Sequence, residues 1–142
     1  MKMNKYNARG QQIDGHYFPS ALECRVYHLL KKYDEQLIVH PKMTLIENQK
    51  PWKNITWTPD FYSPFFNRYI EAKGVLTDAF KLKMQLLQYL NPSLVNQSWF
   101  VVRGQSYRWQ GITLTNVDVL DDLLRTLKEQ GELTNFVKAN NE

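Results

Sequence analysis

One cysteine, Cys24, stands in 142 residues. No disulfide can form within the chain, and no cysteine-rich zinc site can be built. A lone thiol suits a reducing compartment and reads as structural. Histidine is also scarce: His16, His28 and His40 show neither H-x-H nor H-x-x-x-H spacing, so a histidine-based metal site is not expected. No apolar run reaches the ~18 residues of a membrane span, and the first fifteen residues lack the apolar stretch of a signal peptide. The expected location is therefore the cytoplasm, with no membrane partner. No G-x-x-x-x-G-K-[ST] loop is present, so no ATP-driven motor and no small-molecule cofactor are expected. Internal repeats and low-complexity tracts are absent too.

What is present is a globular composition. Apolar residues make up 43% and aromatics 13%, enough for one folded domain. The net charge of +4 is compatible with a polyanionic partner. Residues 1–15 read as a polar, basic, flexible arm, with Lys5 and Arg9 able to touch phosphate. A single domain follows over 16–130, and a polar tail that frays over 131–142.

Ser20 and Glu23 form an S-x-x-E capping box, and Leu22, Val26, Leu29, Leu30 and Tyr33 recur at helical spacing behind it. Residues 37–39 and 43–46 read as two short strands or one broken by Pro41; 55–62 reads as a strand distorted at Pro59. Strands are expected at 68–72 and 98–102, and a hairpin around Gly111. A second helix, capped by Asp78, runs to about Leu90, where Asn91 and Pro92 stop it. A last helix starts at Asn116 or Asp118, with Val119, Leu120, Leu123, Leu124 and Leu127 inside. The order predicts an α/β fold, a mixed sheet flanked by helices.

Chemistry concentrates in the segment 58–74, TPDFYSPFFNRYIEAKG. Two carboxylates, Asp60 and Glu71, lie in strand-like apolar surroundings. Buried acids on neighbouring strands repel, and a divalent cation resolves that repulsion. Mg²⁺ takes one or two carboxylates and keeps water and phosphate in its other positions. Residues i and i+2 of a strand share a face, so Glu71 and Lys73 would both face Asp60 across a hairpin while Ala72 points into the core. Lys73 would position or deprotonate a water, or stabilise transition-state charge.

P-D-x(10)-E-x-K resembles the catalytic motif of the PD-(D/E)xK, or restriction-endonuclease-like, nuclease superfamily. Pro59 and Asp60 match its PD, and Glu71, Ala72 and Lys73 its (D/E)-x-K. Glu23 lies where many members carry a helix glutamate. The element order is similar to the family's αβββαβ core. A narrower resemblance, through Lys5 to Arg9, Asp14, Gly15, Phe18, Ser20, Glu23, Pro41, Asp60, Phe61, Glu71, Lys73 and Gly74, is to a family of small, uncharacterised, nuclease-like phage proteins. Gln85 and Tyr89 resemble the Q-x-x-x-Y element of nucleases related to the RecB exonuclease domain, with a short interval from Lys73. The alternative for that pair is a polar helix face with Tyr89 packed at the sheet.

The resemblance implies a metal-dependent DNA endonuclease using Mg²⁺ or Mn²⁺, in the cytoplasm of a bacterial host if phage-encoded. Asp60, Glu71 and the Ala72 carbonyl would ligate the metal, and Lys73 would orient the attacking water. Two competing roles are open to Glu23, a helix cap or a member of the site. Lys81 and Lys83 are either phosphate contacts or solvated. Trp52, Tyr107 and Trp109 are the aromatics placed for exposed contact. A resolvase of branched DNA would work as a C₂ homodimer. The alternative is a non-catalytic or partner-dependent DNA-binding module of a recombination, transposition or packaging complex.

Overall fold

The computed structural model describes residues 10–141. Lys5 and Arg9 lie outside the described residues. Immediately after them the chain is ordered, not an arm: β1 (Gln11–Ile13) and β2 (His16–Phe18) form an antiparallel hairpin. Asp14 and Gly15 turn it, at φ 51° and 79°, the left-handed pair that a tight two-residue hairpin turn requires. Tyr27 donates a 2.7 Å hydrogen bond to Asp14, and Phe18 is fully buried. The Asp-Gly pair carried this signal in the sequence.

Helix α1 (Ala21–Tyr33) starts where the capping box placed it, with Ser20 Oγ accepting from the Glu23 N–H at 3.1 Å. It buries Leu22, Val26, Tyr27 and Leu30. The main sheet has six strands in the order β3-β6-β7-β8-β10-β9: β3 (Ile38–Val39), β6 (Phe61–Ser63), β7 (Arg68–Ala72), β8 (Ser98–Val102), β9 (Tyr107–Trp109) and β10 (Ile112–Asn116). It is mixed: β7 and β10 flank β8 in parallel, and the remaining pairs are antiparallel. The expected α/β architecture is therefore the one observed, with helix, three sheet strands, helix and strand in that order.

Residues 55–62 do not form one strand. β4 (Met43–Ile46) and β5 (Ile55–Trp57) make a separate two-stranded ribbon, and the chain enters the main sheet only at β6. Pro59 has no N–H for a ladder, and the break at Thr58–Asp60 is where the chain changes sheets.

Helix α2 (Asp78–Leu90) is capped by Thr77, one residue before the expected Asp78. Asn91 ends it and at once caps α3 (Pro92–Asn96), a short helix not foreseen. The last helix, α4 (Val117–Asn141), begins with Asn116 Oδ1 accepting from the Asp118 N–H. It continues through the segment read as a fraying tail. Leu120 and Leu124 are buried, but Val119 and Leu123 are exposed. The stripe facing the core is Val117, Leu120, Leu124, at the 3–4 spacing of a helix face.

Side chains alternate through the sheet. Phe61, Ile70, Ala72 and Val101 pack with α1 and α4 on one side. Trp57, Phe100, Val102 and Leu114 pack with Phe80, Met84 and Leu87 of α2 on the other. Each buried Val, Leu, Ile, Met or Phe among them stabilises the fold by about 1.5–3 kcal/mol. No helix among the described residues is long and apolar enough to cross a membrane.

Candidate active site

β6 and β7 pair as the antiparallel hairpin that the motif required, with Phe61 opposite Ile70. One step further along, Asp60 stands beside Glu71. The Ala72 N–H donates to Asp60 Oδ2 at 2.7 Å, so the backbone of β7 fixes that carboxyl. Ala72 points into the core, as the alternation predicts, and is buried. The Lys73 N–H donates to the Val101 carbonyl at 2.8 Å, holding the end of β7 to β8. Lys73 Nζ then lies 3.2 Å from Glu71 Oε1 and 4.5 Å from the centre of the Phe80 ring.

Glu23 arrives from α1. Its backbone N–H takes the Ser20 cap, while its carboxylate lies within 4.8 Å of the ligand atoms of Asp60 and His40. Glu23 therefore serves both cap and site: its backbone N–H takes the cap, and its carboxyl, which also interacts with the Ser20 side chain, turns toward Asp60 and Glu71.

Three acids thus converge. Glu23, Asp60 and Glu71 are 9%, 8% and 5% exposed. Glu23 Oε2 and Glu71 Oε2 are buried with no hydrogen-bond partner, a costly state for a carboxylate. Burial, then the charge of Glu71, pushes Glu23 up to about 7. Burial, then the charge of Glu23, pushes Asp60 up to about 8, against the pull of the Ala72 N–H. Burial, then the charge of Asp60, pushes Glu71 up to about 8, against the pull of Lys73. Orphaned oxygens and raised affinities for protons are what a carboxylate cluster shows when it is built around a cation. The donor set, all hard oxygens with one imidazole at its rim, fits a divalent ion.

His40 is the residue that spacing did not find. It follows β3, its N–H donates to the Asp60 carbonyl at 2.8 Å, and its Nε2 lies 4.0 Å from Glu23 Oε2. Burial lowers its pKa, which favours the neutral ring. Only the pairing of β3 with β6, 22 residues apart in register at Val39 and Phe61, brings it here, and no local motif reports such a pairing.

A cavity of about 240 Å³ opens onto Glu71 and Lys73, walled by Trp57, Thr58, Thr77, Phe80 and Lys83. Lys83 therefore reaches the site's rim, whereas Lys81, half-buried two residues earlier and turned to another side of the helix, does not line it. Gln85 is exposed, and Tyr89 is 87% exposed on the outer face of α2. Neither approaches the acids, and Tyr89 does not pack at the sheet. Trp52 is 75% exposed in the β4–β5 connection between Lys50 and Lys53, and Tyr107 is exposed on β9; Trp109 is half-buried against the second core.

A larger cleft, about 520 Å³, lies between the end of α1, Phe65 and Lys128 of α4. Its buried acid, Asp34, accepts from Ser63 Oγ at 2.6 Å, the Phe65 N–H at 3.1 Å and the Gln36 N–H at 3.0 Å. That acid is spent on holding the chain together. The unsatisfied oxygens of Glu23 and Glu71, at the Asp60 end of the sheet, stand in contrast.

No curated protein and no solved structure matches the chain. A family model does match, over residues 3–109, described as "Protein of unknown function (DUF1064)". The matched span includes Glu23, His40, Asp60, Glu71 and Lys73 and excludes α4. Covering about three quarters of the sequence, that match makes the chain a member of the DUF1064 family.

Proposed function

We propose that this chain is a metal-dependent deoxyribonuclease that hydrolyses the phosphodiester backbone, built on a restriction-endonuclease-like core. The observation that carries the reading is the convergence of Glu23, Asp60 and Glu71, two of them with unsatisfied buried oxygens, beside a lysine 3.2 Å from Glu71.

Asp60 and Glu71, with the Ala72 carbonyl and Glu23, would hold Mg²⁺ or Mn²⁺. When bound, such an ion supplies charge neutralisation and polarisation of the scissile phosphate and of a water. The rest belongs to the chain. Lys73, 3.2 Å from Glu71 Oε1 and seated on Phe80, orients the attacking water and faces the charge that develops on phosphorus. The Ala72 N–H keeps the Asp60 carboxyl aimed while protons and metal exchange there. Lys83 holds phosphate at the rim of the cavity, and Lys81, Lys5 and Arg9 add basic charge for the DNA backbone. Trp52 offers an open ring face to a base. The setting we assign is the cytoplasm of a bacterial host, where a lone buried thiol such as Cys24 stays reduced.

The test is a labelled panel of duplex, single-stranded, nicked, flap and four-way-junction DNA with an RNA control, incubated with Mg²⁺ or Mn²⁺ and with EDTA. Metal-dependent cutting of at least one DNA is expected, and the preferred form names the role. Cutting of RNA alone would refute the substrate. Paired cuts across a junction would require a C₂ homodimer, whereas nicking a flap would not.

A further inference from the structure

We propose that His40 is a metal ligand of this site, and that the site is consequently selective for a transition-metal dication such as Mn²⁺ over Mg²⁺. The inference deepens the nuclease reading and rests on its metal centre, but it concerns an ion and not DNA.

Four non-glycine residues among the described ones have left-handed backbone: Asp14, His40, Asn67 and Gln110. Three of them sit in the turns of hairpins, β1–β2, β6–β7 and β9–β10, where that conformation makes the reversal. His40 is not at a hairpin tip. It is left-handed (φ 54°) immediately before Pro41, a position where proline pushes its predecessor toward extended backbone. Strain of this kind persists only where surrounding structure enforces it, and it gathers at functional sites.

What enforces it here is the row of the sheet that carries the acids. Ile38 pairs with Tyr62 and Val39 with Phe61. The His40 N–H to Asp60 carbonyl bond extends that ladder by one residue. Asp60 in turn stands beside Glu71. His40, Asp60 and Glu71 therefore occupy one row across β3, β6 and β7, and α1 delivers Glu23 to the same place. Ligand atoms of Glu23, His40 and Asp60 all lie within 4.8 Å of one another. His40 Nε2 lies 4.0 Å from Glu23 Oε2, one of the two buried oxygens with no partner. A nitrogen and an orphaned carboxylate oxygen held that far apart do not bond each other, and an ion between them engages both.

The ligand types set the preference. Carboxylate and water alone suit Mg²⁺, while an imidazole nitrogen adds affinity for first-row transition metals and little for Mg²⁺. The test is calorimetric titration of MnCl₂ and MgCl₂ into the metal-free protein, without DNA, for wild type and His40→Asn. Asparagine accepts left-handed backbone better than most residues, so the loop conformation survives, and thermal melting of the metal-free variant checks this. Wild type should bind Mn²⁺ at least about 10-fold more tightly than Mg²⁺. His40→Asn should lose about 10-fold or more in Mn²⁺ affinity and less than about 3-fold for Mg²⁺. Equal losses for both ions, no loss for either, or a wild type without preference would overturn the proposal. A protein that binds Mn²⁺ as described and cuts no DNA would refute the nuclease reading and leave this one standing.

Discussion

Asp60→Asn should abolish cleavage and, in the same molecule, raise the melting temperature of the metal-free protein. Both effects come from one atom. Asp60 lies between Glu23 and Glu71, and each of those charges raises the cost of ionising the cluster. Asparagine keeps an oxygen to accept from the Ala72 N–H and brings an N–H₂ that can donate to an orphaned carboxylate oxygen. A buried, repelling charge is thereby replaced by a satisfied amide, which stabilises. A gain of about 1 kcal/mol moves the midpoint by roughly 4 °C in a domain of this size, so a rise of that order is expected at pH 8. The proposed metal site would lose its central ligand, and the rate should fall by about 10³-fold. Melting in EDTA and single-turnover cleavage on one preparation check both halves. A variant that melts lower would show that the carboxylate is structural, like Asp34.

This opposition between stability and function explains what the sequence disclosed and what it withheld. The strands at 68–72 and 98–102 are legible because a five-residue run of apolar and β-forming residues, such as SWFVV, is a local signal. Asp60, Glu71 and Lys73 are legible for a related reason, while Glu23 enters the site only through the family resemblance. Asp60 and Glu71 sit on two arms of one hairpin, so spacing alone brings them together. Glu71, inside β7, also breaks the rule that strand interiors avoid lone acids, and such a breach marks a site. His40 breaks no local rule. Its place depends on the short β3 pairing with β6, and nothing in residues 36–42 states that partner. The first hairpin is legible in Asp14-Gly15 as a turn, although the same pair also belongs to the motif of the narrower resemblance. The split of 55–62 into β5 and β6 was half legible: Pro59 marked the distortion, but only tertiary packing of Trp57 against α2 decides that the chain changes sheets there. The outward-facing Val119 and Leu123 show the same limit in a helix. Two apolar stripes compete, and the sheet chooses the one through Leu120 and Leu124.

Metal-free protein should lose stability as pH rises from about 4 to about 8, opposite to the usual behaviour of paired carboxylates. Glu23, Asp60 and Glu71 have ordinary values of 4.5, 3.8 and 4.5 when unfolded and about 7, 8 and 8 when folded. Across that interval the folded chain holds protons that the unfolded chain has released, so stability falls with pH. It is fully present below about pH 4 and spent above about pH 8. His40, lowered by burial, works in the opposite sense, but it is one group against three. Divalent metal reverses the trend, because it takes the place of those protons. In EDTA the midpoint should drop by about 5 °C or more between pH 5.5 and pH 8. Added Mn²⁺ should raise it strongly at pH 8 and little at pH 5.5. A midpoint in EDTA that is flat or rises with pH would contradict the cluster's electrostatics, whatever the protein does to DNA.

The central claim is that this cluster cuts a phosphodiester with the help of Lys73. Its most direct measurement is single-turnover cleavage of the preferred DNA, by wild type and Lys73→Ala, with Mn²⁺ affinity measured on both. Lys73 Nζ is partly open to solvent, so the variant should fold, bind Mn²⁺ within about 3-fold of wild type and cut at least about 10²-fold more slowly. A variant that cuts at the wild-type rate would contradict the assignment. A wild type that binds metal and DNA but cuts nothing would turn the reading to a partner-dependent DNA-binding module.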